Sequence, residues 1–202
     1  MGIDRAKYLD ADETKRLRLV TEAANIKDLQ AGRVRWVVAW AVVDSALQTG
    51  LRVSELAKLT IGDVDFRRSA LRVHRSKRRK SITETIPLSK ELRSHLKAFI
   101  EWKKAVGQPT GKGSPLFVGK RGALTASGLM QLWKRAVAEA GLPRELSIHC
   151  ARHTLAVALL KKSGNLRLVQ KQLGHTSPTT TANIYADVTF EDQQAAVNGL
   201  YE

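Results

Sequence analysis

Residues 64–88 read VDFRRSALRVHRSKRRKSITETIPL. Three short runs within this stretch, Val64–Phe66, Ala70–His74 and Ile82–Leu88, are rich in β-branched and apolar residues and predict strands of one small antiparallel sheet. On either side the pattern is helical. Upstream, Asp10 or Asp12 is placed to cap a helix through about Ala24, with Leu17, Val20 and Ala24 at helical spacing. Arg33–Thr49 reads as a second, more buried helix with Gly50 as its natural stop, and Ser54–Leu59 as a third, short one. Downstream, Ser89 caps a helix through about Val106, and residues 107–115 (GQPTGKGSP) are a loop by composition. Thr125 or Ser127 opens a helix ending at Gly141. Beyond Pro143, helices are predicted over 148–163, 166–173, 178–186 and 189–199. The fold class is α+β: mainly α-helical, with a small three-stranded antiparallel sheet.

At 202 residues the chain is long enough to bury a core without disulfides. The longest apolar run, Trp36–Val43, stops at Asp44 and is far too short to span a bilayer. The first residues carry no apolar secretory segment. The single cysteine, Cys150, cannot form an internal disulfide and points to a reducing compartment. A cytoplasmic protein without a membrane partner is expected.

Charge is more informative. The net charge is +15, and residues 51–150 alone hold 21 basic and 8 acidic side chains, while the flanking segments are nearly balanced. An excess concentrated in the middle of the chain implies one surface facing a polyanion. Aromatics make up only 5%, too few for a base-stacking platform, so duplex phosphate binding fits better than single-strand binding.

Several familiar constellations fail. His149 and His153 stand at a metal-ligand spacing, but Cys150 occupies the position where a zinc-protease helix needs Glu. A Walker loop around Gly111-Lys112 would need Gly and Ser or Thr where Val106 and Gly113 stand. No serine-hydrolase elbow is present. Neither a metal nor a cofactor is expected.

Four segments remain: TGLRVSEL (49–56), HRSKRRK (74–80), HCARH (149–153) and LGHTSPTTTANIY (173–185). In order they supply Arg52, Lys77, His149, Arg152, His175 and Tyr185. This set resembles the catalytic signature of the tyrosine recombinase (phage integrase) family, over about residues 10–200. The chemistry of the residues agrees. A phosphodiester gains negative charge in its transition state, and two arginines with planar forks can hold its oxygens as a metal would.

The resemblance implies a site-specific DNA recombinase that works through a 3′-phosphotyrosyl intermediate without a metal. It assigns Tyr185 as nucleophile, His149 as proton acceptor and His175 as donor to a phosphate oxygen. Lys77 is assigned as general acid, with Lys80 as its alternate across a possible insertion. Glu55 reads as an anchor for Arg52 or for the helix start, and Cys150 as a packed small hydrophobe. Arg75, Arg78, Arg79 and Lys80 form the expected DNA-binding basic patch.

The resemblance implies a single catalytic domain over 1–202 that lacks the N-terminal DNA-clamping domain most family members carry, either as an excised catalytic domain or as a naturally short member. The implied partners are double-stranded DNA and further copies of the chain, as a dimer or tetramer assembled on DNA. Residues 189–200, with Phe190, Ala195 and Val197 as anchors, are expected to pack either on a neighbouring protomer or back on their own domain. Such a protein would be encoded by a bacterium, a phage or a mobile element. Two other readings are a non-catalytic DNA-binding protein of the same fold and a type IB topoisomerase-like activity. The intact six-residue set argues against the first, and the Leu-Gly-His segment and short length against the second.

Overall fold

The computed structural model describes residues 8–77 and 80–174, with the side chains of 76, 77, 80 and 81 excepted. The predicted helices over 178–186 and 189–199 lie outside the described residues. Helix α1 (Ala11–Gln30) begins at a reciprocal cap. Asp10 Oδ1 accepts from the Glu13 N–H at 2.8 Å, and Glu13 Oε2 accepts from the Asp10 N–H at 3.0 Å. The helix runs six residues past the predicted end at Ala24. Its last turns are held by polar contacts where the apolar period has lapsed: buried Asp28 accepts from Arg33 Nε at 2.7 Å and from the Trp36 N–H at 2.8 Å.

Helix α2 (Arg35–Thr49) is the hub, packed against α1 and against the later helices α4 (Lys90–Ala105), α5 (Ala126–Glu139) and α6 (His149–Ser163). Apolar residues on most of its circumference explain this burial: Val37, Val38, Ala41, Val42, Val43 and Ala46 all lie in the core. It ends where expected, at Gly50, which adopts a left-handed φ of 63°. The short α3 (Val53–Leu56) follows immediately and stops three residues before the predicted end. A polar cap sets it, since the Glu55 carboxylate accepts from the Arg52 N–H at 2.9 Å.

The sheet is antiparallel in the order β1 (Val64–Asp65), β2 (Ala70–Lys77), β3 (Lys80–Pro87). The β2–β3 ladder runs from Ala70↔Pro87 to Lys77↔Lys80. It is longer towards the hairpin than the apolar runs predicted, because backbone pairing continues through the basic residues that interrupt them. Leu71, Val73 and Arg75 alternate inward, and Arg72 and His74 face out.

Ser89 caps α4, accepting from the Leu92 N–H at 2.9 Å. Residues 107–115 form the expected loop, pinned to the α3 exit by Ile61 N–H to Ser114 O and Leu116 N–H to Leu59 O. Buried Lys103 donates to the carbonyls of Pro115 and Leu116. A two-residue hairpin, β4 (Val118–Gly119) with β5 (Gly122–Ala123), precedes α5 and was beyond the reach of periodicity. Thr125, not Ser127, caps α5. On α5, Trp133 is fully buried and its indole N–H donates to Leu146 O at 2.9 Å.

Helix α7 (Leu166–Leu173) packs on α6 through Ala156, Val169 and Leu173. A Cβ at Gly50 would meet Leu173 Cδ2 at 2.6 Å and Leu155 Cδ2 at 2.9 Å, so α2, α6 and α7 converge where only glycine fits. Gly50→Ala combines positive-φ strain with overpacking and is expected to destabilise by about 2–4 kcal/mol in denaturant melts. An unchanged midpoint would show that the three helices do not meet there.

Candidate active site

The convergence at Gly50 assembles residues that lie about a hundred positions apart in the chain. Arg52 leaves the α2–α3 corner two residues later. Its Nη1 donates to Glu55 Oε1 at 2.9 Å, and its side chain remains 46% exposed. Glu55 is buried and accepts from the Arg52 backbone with its other oxygen, so it anchors both the arginine and the helix start.

Arg152 reaches the same corner from the first turn of α6. It is only 7% exposed. Nη1 donates to Gly50 O at 2.8 Å and Nη2 to Leu173 O at 2.7 Å. These bonds fix the guanidinium plane and leave its other N–H groups unused by them. Burial, followed by the charges of Arg52 and Arg75, lowers its pKa to about 10, with Glu55 opposing. Arg152 therefore stays charged at neutral pH. Above about pH 10, until the ordinary guanidinium range is reached, the unfolded chain binds more protons than the folded one, so this group's contribution to folding stability rises with pH there. An anion placed between Arg52 and Arg152 would supply the missing opposite charge.

His149, the first residue of α6, is exposed. It stands three positions before Arg152 and so on the same side of the helix. Lys77 ends β2 at the hairpin, opposite Lys80, and both side chains lie outside the described set. Arg78, Arg79, His175 and Tyr185 also fall outside the described residues. Cys150 is buried as expected, and burial pushes its thiol pKa up.

One assignment is corrected. Arg75 belongs to no exposed basic patch: it is 1% exposed and points into the protein from β2. Its Nη2 donates to Gln172 O at 3.0 Å, and its Nη1 donates to Leu173 O, the carbonyl that Arg152 also uses. Counting basic residues along 74–80 missed this. The inward alternation of Leu71, Val73 and Arg75 was the available signal. Among the described residues, no group of three or more His, Cys, Asp or Glu is placed to hold a metal ion. No described helix is long and apolar enough to cross a membrane.

The sequence pattern of the phage integrase family matches residues 7–192. Tyrosine recombinase XerC of Pseudomonas fluorescens is 31% identical over 195 residues, covering 96% of this chain and 60% of that protein. Tyrosine recombinase XerD of Oceanobacillus iheyensis is 31% identical over 164 residues, covering 80% of this chain and 52% of the relative. The chain thus spans only half to three-fifths of these relatives. Among solved structures, the XerA recombinase superposes with a TM-score of 0.75 at 26% identity, over 96% of this chain and 65% of that one. XerH bound to its difH substrate superposes with a TM-score of 0.70 at 23% identity, over 97% of this chain and 55% of the other, a likeness of fold. Sequence and architecture agree along nearly the whole chain, which belongs to the phage integrase family.

Proposed function

We propose that the chain is the catalytic part of a site-specific DNA recombinase that cleaves and rejoins duplex DNA through a 3′-phosphotyrosyl intermediate. The observation that carries this reading is the buried, doubly anchored Arg152 beside the Glu55-held Arg52. Two guanidinium groups close enough to repel each other suit a tetrahedral anion that becomes more negative as it reacts.

In this mechanism the Tyr185 phenol attacks the scissile phosphorus and its proton passes to His149. The bond from phosphorus to the 5′ oxygen breaks, and that oxygen leaves as a hydroxyl with a proton from Lys77. Arg52, Arg152 and His175 hold the non-bridging oxygens. Attack by a 5′-hydroxyl on the phosphotyrosine reverses the step and rejoins a strand. Exposed arginines around the sheet, among them Arg67, Arg68 and Arg72, supply phosphate contacts that orient the duplex. The partners are duplex DNA and further copies of the chain held together on it, and the setting is the cytoplasm.

The test uses a pool of nicked suicide duplexes with a randomised core, in which the short strand beyond the cut diffuses away and traps the adduct. A denaturant-resistant protein–DNA adduct at the 3′ side of the cut, formed in EDTA, is the expected result. Duplex binding without an adduct would favour the non-catalytic reading. Relaxation of supercoiled plasmid without strand exchange would favour a topoisomerase.

A further inference from the structure

Arg75 is a fully buried guanidinium for which the proposed mechanism has no use. Burial, the largest cause, lowers its pKa, and Arg52 adds to that, while Glu55 and Glu84 oppose it. Glu55 Oε1 stands 3.9 Å from Nη1. Glu84 Oε2, on the neighbouring strand, stands 2.9 Å from Nε, in an ion pair outside hydrogen-bond geometry. A charge kept in such a place needs its remaining partners. Those partners are the last carbonyls of α7, at Gln172 and Leu173, where the helix dipole is negative. Gly174 lies directly against the same guanidinium. A Cβ there would run into the guanidinium, and the backbone holds a left-handed φ of 66°. The glycine of the Leu-Gly-His segment is thus explained by the arginine packed on it.

The ends of this strut matter. On β2, Arg75 precedes Lys77 by two residues. On α7, its acceptors stand two and three residues before His175. Leu173 O also binds Arg152, so one carbonyl joins the strut to the phosphate clamp. We propose that Arg75 is a positioning residue that ties the strand carrying Lys77 to the α7 end that leads into His175 and, through Leu173 O, to Arg152, and that the general-acid and phosphate-donor functions both depend on this tie. This rests on the strand-transfer reading above.

The test measures cleavage by the full chain on the duplex recovered from the randomised pool, made with either oxygen or sulfur at the 5′-bridging position. A sulfur leaving group needs no proton and so makes Lys77 dispensable. Arg75→Lys keeps a buried cation without the fork, and Arg75→Gln removes the charge. Both are expected to bind duplex within about threefold of the parent and to cleave the oxygen duplex about 10–100-fold more slowly, the usual cost of a lost supporting contact. On the sulfur duplex the deficit shrinks about tenfold or more, which a general loss of structure would not do. Adding Arg75→Lys to Lys77→Ala or to His175→Ala costs less than its effect alone, because the losses are shared.

Parental rates in both variants would overturn the inference. So would a deficit that is equal on the two duplexes and fully multiplicative with Lys77→Ala and His175→Ala. Loss of cooperative melting in both variants would also overturn it, reducing Arg75 to a structural charge. A parental chain that forms no adduct sinks the strand-transfer reading itself. An active parent with either of the first two outcomes sinks only the role of Arg75.

Discussion

Tyr185→Phe is expected to abolish the covalent adduct while leaving duplex affinity within about twofold. The phenol is mostly protonated at neutral pH, since its ordinary pKa is about 10, and becomes a competent nucleophile only beside a base and a strong positive field. Arg52 and Arg152, with Glu55 as their close carboxylate among the described residues, provide such a field at the α2–α3 corner. Phenylalanine retains the ring and removes only the attacking oxygen, so adduct formation falls below detection and does not merely slow. Binding should survive because it rests on many phosphate contacts, each cation contributing separately and the whole weakening steeply with salt. The measurement is a denaturing gel of the suicide-duplex reaction, paired with a binding titration at fixed ionic strength. An adduct from the Phe variant would move the nucleophile elsewhere in the chain.

Much of this architecture is legible in the sequence where one physical signal dominates. Helix α2 is announced by an apolar run closed by Gly50, and α4 by Ser89 ahead of an amphipathic stretch. The end of α1 is not, because Asp28 stabilises it through Arg33 and the Trp36 backbone, contacts made by residues beyond the helix. The β4–β5 hairpin is too short to show any period. The candidate site divides along the same line. Motif order singles out Arg52 and Arg152, but only folding brings their charges to one corner and shows that Arg152 is held by the carbonyls of Gly50, just after α2, and of Leu173, the last residue of α7. Arg75 was misread because a count of charges ignores the strand's alternation. Composition sees a basic run, whereas the pleat sends every second residue inward.

The two arginines are held so differently that their substitutions should separate. Alanine at either position is expected to slow adduct formation by about 2–4 kcal/mol of barrier, the range seen when one oxyanion donor is removed. Lysine should divide them. Arg52 is half exposed, and one of its side-chain nitrogens, Nη1, donates to Glu55. A lysine there keeps its ammonium near the same carboxylate and can still face the phosphate as a point charge, recovering part of the lost rate. Arg152 spans two carbonyls, Gly50 O and Leu173 O, with two different nitrogens while buried. An ammonium cannot reproduce that span, has only three donors, and resists dehydration more strongly than a guanidinium. Arg152→Lys should therefore leave one carbonyl under-satisfied and aim its charge poorly, giving a rate close to that of Arg152→Ala. Single-turnover rates on the suicide duplex, with melting curves to confirm folding, decide the matter. Equal recovery by lysine at both positions would mean that the phosphate responds to charge alone and that the carbonyl anchors of Arg152 do not orient it.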